Sequence, residues 1–282
     1  MPDIVVHLVA TAAYLGLAWH FWNTRWRPAA ALEGKSLDLR AWERIGILLP
    51  ATLHGWLIYQ GIFAAPELRF GFAQALSAML WLAVLIYWVE SLYFRLEGMQ
   101  PLVLAAAGAC LLLPLWFPGR VIAQGSTDFK VHLTLALIAY SLFTIAILHA
   151  VLMAVADRLL HRGLKNADGG RRLEGPLANL PPLLTIERML FRLITVAFVF
   201  LTVTLATGMV LSNDLFGKPL RFNHETVFAV ASWLTFAILL WGRVFRGWRG
   251  QTALRWTIAG FVMVVLANIG TAFVLEVVLK RV

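Results

Sequence analysis

The chain has 282 residues, of which 60% are apolar and 14% are charged, and its formal net charge is +9. Soluble domains are about half apolar and about a quarter charged, so this composition excludes an ordinary soluble protein and indicates a membrane protein. The single cysteine, Cys110, excludes thiol exchange through a dithiol pair, and the absence of a CxxCH sequence excludes a c-type cytochrome.

Long apolar runs follow one another from the N-terminus to the C-terminus. A membrane-spanning helix needs about 20 predominantly apolar residues, and the runs lack the short alternating pattern of membrane barrels, so strands are not expected. We therefore predict an all-α polytopic integral membrane protein, with one membrane domain over residues 1–282. Its eight predicted transmembrane helices occupy residues 4–22, 45–63, 71–93, 101–117, 130–156, 184–212, 225–242 and 256–279.

Basic residues follow alternate loops of this predicted bundle. One side receives 17 of the 24 lysines and arginines, chiefly in segments 23–44, 158–192 and 243–255. The positive-inside rule assigns these loops to the cytoplasm and both termini to the outer, periplasmic side. Anionic lipid head groups explain the basic excess, so we expect the lipid bilayer as the main partner and no nucleic acid.

Histidines are the most informative polar residues, because ionisable groups within a bilayer are rare and usually functional. His132 and His224 lie at the outer ends of predicted helices, and His54 lies near the middle of the second one. Neutral imidazole is a common metal ligand and a frequent axial ligand of haem iron. The alternatives are a solvated interfacial residue at a helix end and, for His54, a buried hydrogen-bonded structural residue. His20 and His149 are expected at the cytoplasmic interface.

A stripe of small side chains continues the helical face of His132. Small residues either let two helices approach closely or leave a slot for a flat ligand, and close packing is the commoner use. The stripe consists of Ala136, Ala139, Phe143, Ala146 and Ala150.

The loop "FRGWRGQ", residues 245–251, alternates aromatic and cationic residues between the last two helices. One interpretation is a binding site for a phosphate or a soluble partner. The other is an interfacial anchor, with Trp248 among head groups and Arg246 and Arg249 on anionic lipid.

Two stretches together resemble the cytochrome c assembly family of CcsA-, CcmC- and HemX-like proteins, and within it the YpjD-like inner-membrane branch. These stretches are "LPPLLTIERMLFRLITVAFVFLTVTLATG" and "HETVFAVASWLTFAILLWGRVFRGWRGQTALRWTIAGF". The resemblance covers residues 129–282, with helices 5–8, well and the divergent helices 1–4 of residues 1–128 more loosely. It implies haem b handling at the outer face of the bacterial inner membrane. The family's first outer histidine falls on His132 and its in-membrane histidine on His54.

The tryptophan-rich motif of the family, W-x-W-D-P-K-E-T-W, corresponds here to "NDLFGKPLRFNHETVF". Glu225 and Thr226 fit, whereas tryptophans have become residues such as Phe222 and Val227, and the lysine has become His224. The family's in-membrane histidine of helix 7 falls near Gly242 and is missing, as is its second outer histidine. We therefore expect neither cytochrome c synthetase activity nor another enzymatic activity, and GxSxG, HExxH and Walker-type motifs are also absent.

The resemblance and the histidines together predict a haem-binding protein accessory to cytochrome c maturation, with other maturation components as expected partners. His132 and His54 are the predicted axial iron ligands and His224 a third cofactor-binding candidate. The alternative is a HemX-like regulator or scaffold linked to tetrapyrrole synthesis, which holds no stable haem. A transporter is less favoured, because matching broken helices in two halves are not evident.

Overall fold

Helices dominate the computed structural model, which describes residues 2–26, 41–64, 68–94, 96, 98–122, 127–165, 182–216 and 223–279. Within these ranges, seven helices are long and apolar enough to cross a membrane. The longer helices are α1 (Pro2–Phe21), α2 (Ala41–Ile58), α3 (Phe72–Ser91), α4 (Gln100–Leu111), α6 (Thr127–Lys165), α7 (Leu183–Phe216), α8 (His224–Arg246) and α9 (Gly250–Val265). These helices are extended by two short helices, α5 (Leu113–Trp116) and α10 (Thr271–Phe273). They are also extended by four π-helical turns, Trp22–Trp26, Tyr59–Ala64, Leu266–Gly270 and Val274–Val278.

The fourth predicted span differs from the other seven. It forms the shorter pair α4 and α5, which is interrupted at Leu112. Pro114 follows the break, and proline lacks the backbone N–H that would continue the hydrogen-bond ladder. The all-α membrane architecture is therefore confirmed for the described residues, while a count of eight crossings and the orientation of the termini stay predictions.

A small antiparallel ladder joins the two segments that flank α3, α4 and α5. Strand β1 (Leu68–Phe70) pairs with β2 (Arg120–Ile122), so that Phe70 lies opposite Arg120. The expectation that the chain has no strands is wrong for these six residues. Backbone N–H and C=O groups at the end of a bundle need hydrogen-bond partners, and β1 and β2 provide these partners for one another. The pairing also returns the chain to the end of the bundle where α3 begins.

We call the end of the bundle that carries β1, β2 and His132 the outer end, following the orientation predicted from the sequence. Towards its middle, α6 packs closely along α7, and the small residues of the His132 stripe are buried there. The Phe143 and Phe236 rings stack with centroids 4.0 Å apart and hold α6 against α8. Beyond Ala136 the stripe therefore serves helix packing, which was the commoner of its two predicted uses.

At the opposite end, the loop after α8 folds back onto the bundle. Gly247 ends α8 with a φ of 64°, a conformation suited to glycine, and Trp248 then packs against Gly242 and stacks on Trp256. Arg243 and Arg249 both bind Glu187, with N–O distances of 2.6 and 3.0 Å. The loop is therefore a structural clamp between α7, α8 and α9, which neither interpretation of its sequence anticipated.

Candidate functional site

His132 lies one turn into α6, where its side chain meets α7. Its Nδ1 is 2.9 Å from the hydroxyl of Thr207, and its Cε1 faces the backbone of Gly208. A methyl group added at Gly208 would lie 3.2 Å from that Cε1 atom, so the absence of a side chain gives the imidazole room. Two residues of α7 thus fix the position of one imidazole of α6.

The hydrogen bonds of Thr207 determine which nitrogen of His132 is free. The Thr207 hydroxyl lies 3.0 Å from the Val203 carbonyl and 3.1 Å from the Thr204 carbonyl, both of which can only accept. A hydroxyl has a single proton, so once Thr207 donates to the backbone its oxygen accepts from Nδ1–H of His132. This tautomer leaves Nε2 with its lone pair available, as metal-ligating histidines require.

His132 opens onto a cavity of about 490 Å³ among α6, α7, α8 and the π-helical turn Leu266–Gly270. Cofactor and small-molecule sites are typically about 300–1,000 Å³ in volume, with mostly apolar walls and few polar groups. This cavity fits that description. Its apolar lining includes Leu133, Ala136, Leu205, Met209 and Val230, and its polar lining includes Tyr140, Thr204, Asn223, Glu225 and Asn268.

His54 lies in a different place. Its side chain is fully buried in α2, with Nε2 2.9 Å from the hydroxyl of Ser77 and the ring edge-on to Tyr14. Its Nδ1 has no hydrogen-bond partner among the residues that the structure describes. The predicted structural role therefore accounts for one nitrogen of His54 and leaves the other unexplained.

A second cavity, of about 200 Å³, is lined by both His54 and His7. It is separate from the His132 cavity. A small apolar cluster lies between them, because Ile62 of the second cavity and Leu133 of the first belong to the same packed group. The structure thus brings His54 together with His7, and it does not bring His54 together with His132.

His224 is the first residue of α8, and its side chain is exposed. Its neighbours Asn223, Glu225 and Thr226 line the His132 cavity, but His224 itself does not. Consecutive residues of a helix point about 100° apart, which explains how the neighbours face inward while His224 faces outward. In this arrangement His132 and His224 do not face one common cavity.

The two histidines expected at the cytoplasmic interface instead lie beside glutamates. His149 is fully buried, with Nδ1 donating to the Ile145 carbonyl at 2.9 Å and Nε2 3.6 Å from Glu90. His20 is partly buried, and its Nε2 lies 2.8 Å from Glu43. The interfacial prediction is therefore wrong for His149, because its side chain is fully buried within the bundle, where Nδ1 bonds to its own helix and Glu90 of α3 lies nearby.

Sequence reasoning missed several residues around His132. Thr207, Gly208, Tyr140 and Asn268 lie within predicted spans and were not singled out. Asn268 carried a usable signal, since an amide in an apolar run needs a partner, and it lines the His132 cavity together with Tyr140. Among the described residues, no three His, Cys, Asp or Glu side chains are grouped as a metal site.

Comparison with known proteins places most of the chain in one family. Residues 46–279 match the family model described as cytochrome c assembly protein. The chain is 31% identical to the inner membrane protein YpjD of Escherichia coli K12 over 180 residues, which are 63% of this chain and 64% of YpjD. The match thus spans a little under two thirds of that relative.

Two other relatives extend the comparison. A 28.8 kDa protein of the nifR3-like 5' region of Azospirillum brasilense is 30% identical over 215 residues, which are 72% of this chain and 76% of the relative. The cytochrome c biogenesis protein CcsA of Prochlorococcus marinus MIT 9515 is 28% identical over 185 residues, covering 61% and 59% of the two chains. No solved structure matches. The chain belongs to the cytochrome c assembly protein family.

Proposed function

We propose that this protein is a multi-pass protein of the bacterial inner membrane that binds haem b and is accessory to cytochrome c maturation. The names of its relatives support the setting, since one is an inner membrane protein and another a cytochrome c biogenesis protein. The observation that carries the proposal is the His132 imidazole, whose Nε2 is left available at the wall of a largely apolar cavity of about 490 Å³.

The residues of this cavity fit a haem. His132 would supply a neutral imidazole ligand to the iron, and Thr207 holds its ring in the required tautomer. Apolar side chains such as Leu205 and Met209 would shield a bound porphyrin from water. A bound haem would supply the iron and its redox chemistry, whereas this chain would ligate, orient and shield it. The protein therefore handles haem in this proposal and catalyses no reaction of its own.

The three predicted ligands receive different weight in this proposal. His132 binds the iron. His54 remains the second predicted ligand, but only for a separate iron, and its 200 Å³ cavity must widen before a porphyrin can enter. His224 is exposed at the rim and ligates only if the start of α8 rotates. One haem per chain is therefore the expected stoichiometry.

Haem titration of the purified protein in detergent tests the proposal. The wild-type protein should develop a Soret band that saturates at about one haem per chain. His132→Ala should lose that band, while His224→Ala, the matched control at the same end of the bundle, should retain it. A wild-type protein that binds no haem, or a His132→Ala variant that binds it equally well, would refute the proposal.

One observation favours the second candidate, a regulator or scaffold without stable haem. Helix α6 has 39 residues, so at 1.5 Å per residue it is about 58 Å long, against a hydrocarbon core of about 30 Å. It therefore projects from the membrane at the end that carries the basic loops, where a soluble protein can dock. Absence of haem after supplementation, together with a cytoplasmic enzyme that co-purifies only when residues 158–165 are intact, would favour this candidate.

A further inference from the structure

Arg120, on the β1–β2 ladder, forms no ion pair with any residue that the structure describes. It lies on β2, opposite Phe70 of β1. Its Nε and Nη2 atoms are both buried, and neither donates a hydrogen bond to any described group. Buried donors of this kind are rare in native proteins, and each costs free energy unless something accepts from it.

Two carboxylates are near Arg120, and neither forms an ion pair with it in the described structure. Glu225 and Glu276 both interact with it electrostatically. Glu276 is engaged elsewhere, because its carboxylate lies against the backbone of Gly71, just before the start of α3. Glu225 lines the His132 cavity. The guanidinium is therefore positioned by its surroundings and retains donors for another acceptor.

The position of Arg120 relates it to the His132 cavity. Phe70, its partner across the ladder, lines that cavity, as does Glu225 from the start of α8. Arg120 does not itself line the cavity, but it stands beside these two residues that do, while the Phe143–Phe236 stack closes the packing deeper in the bundle. A ligand held here has an apolar environment at its inner part and a cation at its outer edge.

We propose that Arg120 binds a carboxylate of the ligand that occupies the His132 cavity, an inference that rests on the proposed haem-binding function. Guanidinium groups bind carboxylates through two parallel, charge-assisted hydrogen bonds, and Arg120 has two adjacent donors unused. The cavity therefore selects a planar ligand with an apolar edge and an acidic edge, and it orients the propionates of haem towards the β1–β2 ladder.

Binding of haem b and of haem b dimethyl ester, in which both propionates are esterified, tests the inference. Both probes are titrated into the purified wild-type protein and into Arg120→Gln, Arg120→Lys and Lys130→Gln variants. Lys130 is the matched control, because it is a cation two residues before His132 that, unlike Arg120, has no buried donor left without a hydrogen bond. Loss of a charged hydrogen bond corresponds to about a tenfold to hundredfold loss of affinity.

We expect Arg120→Gln to weaken haem binding by about tenfold to hundredfold and to leave binding of the ester unchanged. The haem affinity of Arg120→Lys should lie between those of the wild type and Arg120→Gln. Unchanged ester binding also shows that the cavity is intact in the variant. Equal haem binding by wild type and Arg120→Gln would overturn the inference and leave the haem proposal standing. Loss of both probes in Arg120→Gln would assign Arg120 a structural role and overturn it too. Failure of the wild type to bind haem would refute both proposals.

Discussion

Two charged clusters of opposite composition lie at opposite ends of this bundle. At the loop clamp, one buried carboxylate, that of Glu187, binds the guanidinium groups of Arg243 and Arg249 at 2.6 and 3.0 Å. At the outer end, one guanidinium, that of Arg120, lies near Glu225 and Glu276 without an ion pair to either and with two buried donors unused. Charges at the clamp satisfy one another, and the charge of Arg120 is left for an acceptor from outside the chain.

This difference separates a stabilising site from a binding site. A charged group whose partners are all within the fold contributes to the fold, and removal of its partner leaves a charge in a poor environment. A buried polar group without a partner lowers stability and persists where function retains it. The unused donors of Arg120 belong to the second class. At the neighbouring His132 cavity, the Nε2 atom of His132 is likewise left available to a ligand.

The largest expected effect is on stability at the clamp. Glu187→Gln replaces the carboxylate shared by Arg243 and Arg249 with a neutral amide, which keeps an acceptor oxygen but loses the charge, and we expect it to lower the free energy of unfolding by about 1–3 kcal/mol. The estimate is below that for a fully buried pair because the two arginine side chains are 23% and 59% exposed and can be hydrated. Thermal unfolding in detergent measures the change, with the exposed Arg255→Gln as control. Haem affinity should not move; if it falls tenfold, the clamp and the cavity are coupled.

The next effect concerns the tautomer of His132. Thr207→Val keeps the shape of the side chain and removes the oxygen that accepts from Nδ1–H. Loss of such an outer partner typically weakens metal binding about tenfold to hundredfold, so we expect that loss in a haem titration and little change in stability. Thr195→Val is the control, because Thr195 lies on the same helix and bonds only to its own backbone at the Phe191 carbonyl. Unchanged affinity in Thr207→Val would show that this hydrogen bond does not position the ligand.

A smaller effect is expected at Asn223, a polar residue of the His132 cavity that has a hydrogen-bond partner within the protein. The Asn223 side chain accepts from the Thr226 backbone N–H at 3.0 Å and caps α8. Asn223→Ala should lower the free energy of unfolding by about 1 kcal/mol, and Asn223→Ser, which can still cap, by much less. Thermal unfolding of the two variants in parallel distinguishes a capping role from a ligand-binding one. Equal stability of the serine and alanine variants would show that Asn223 does not stabilise α8 by capping it.

The smallest expected change in stability is at Arg120, and it tests most directly whether the two charged clusters differ. Arg120→Gln should alter the free energy of unfolding of the ligand-free protein by less than about 0.5 kcal/mol, because no ion pair is broken. Side by side with Glu187→Gln, the same loss of one charge should destabilise one cluster and not the other. A destabilisation above about 2 kcal/mol in Arg120→Gln would place Arg120 among the structural charges.

Much of the fold could be predicted from the sequence, because apolar run length decides where membrane helices form. Seven of the eight predicted spans correspond to long helices, and α8 begins at His224, one residue before its predicted span. His132 could be singled out for a similar reason, since position along a helix gives depth in a bilayer. The break at Leu112 was less visible, because a proline in an apolar run permits either a kink or a stop.

The cavity and its polar groups could not be predicted, because they depend on which helices are neighbours. Nothing local shows that residues 68–70 pair with residues 120–122, so Arg120 reads as an ordinary loop cation until Phe70 is opposite it. The same holds for His149, which depth alone assigns to the interface and which the fold buries near Glu90. The spacing of apolar residues predicts which face of a helix is buried, and only the fold determines which residues that face contacts.

The most direct test of the central claim, that His132 is the axial ligand, is chemical rescue of its removal. In His132→Gly, the lost side chain leaves space for free imidazole beside Gly208. We expect the variant to bind haem weakly alone and to regain the wild-type Soret band when imidazole is added, with no such response in His54→Gly. Wild-type haem binding by His132→Gly without imidazole, or a Soret band that imidazole restores equally in His54→Gly, would contradict ligation by His132.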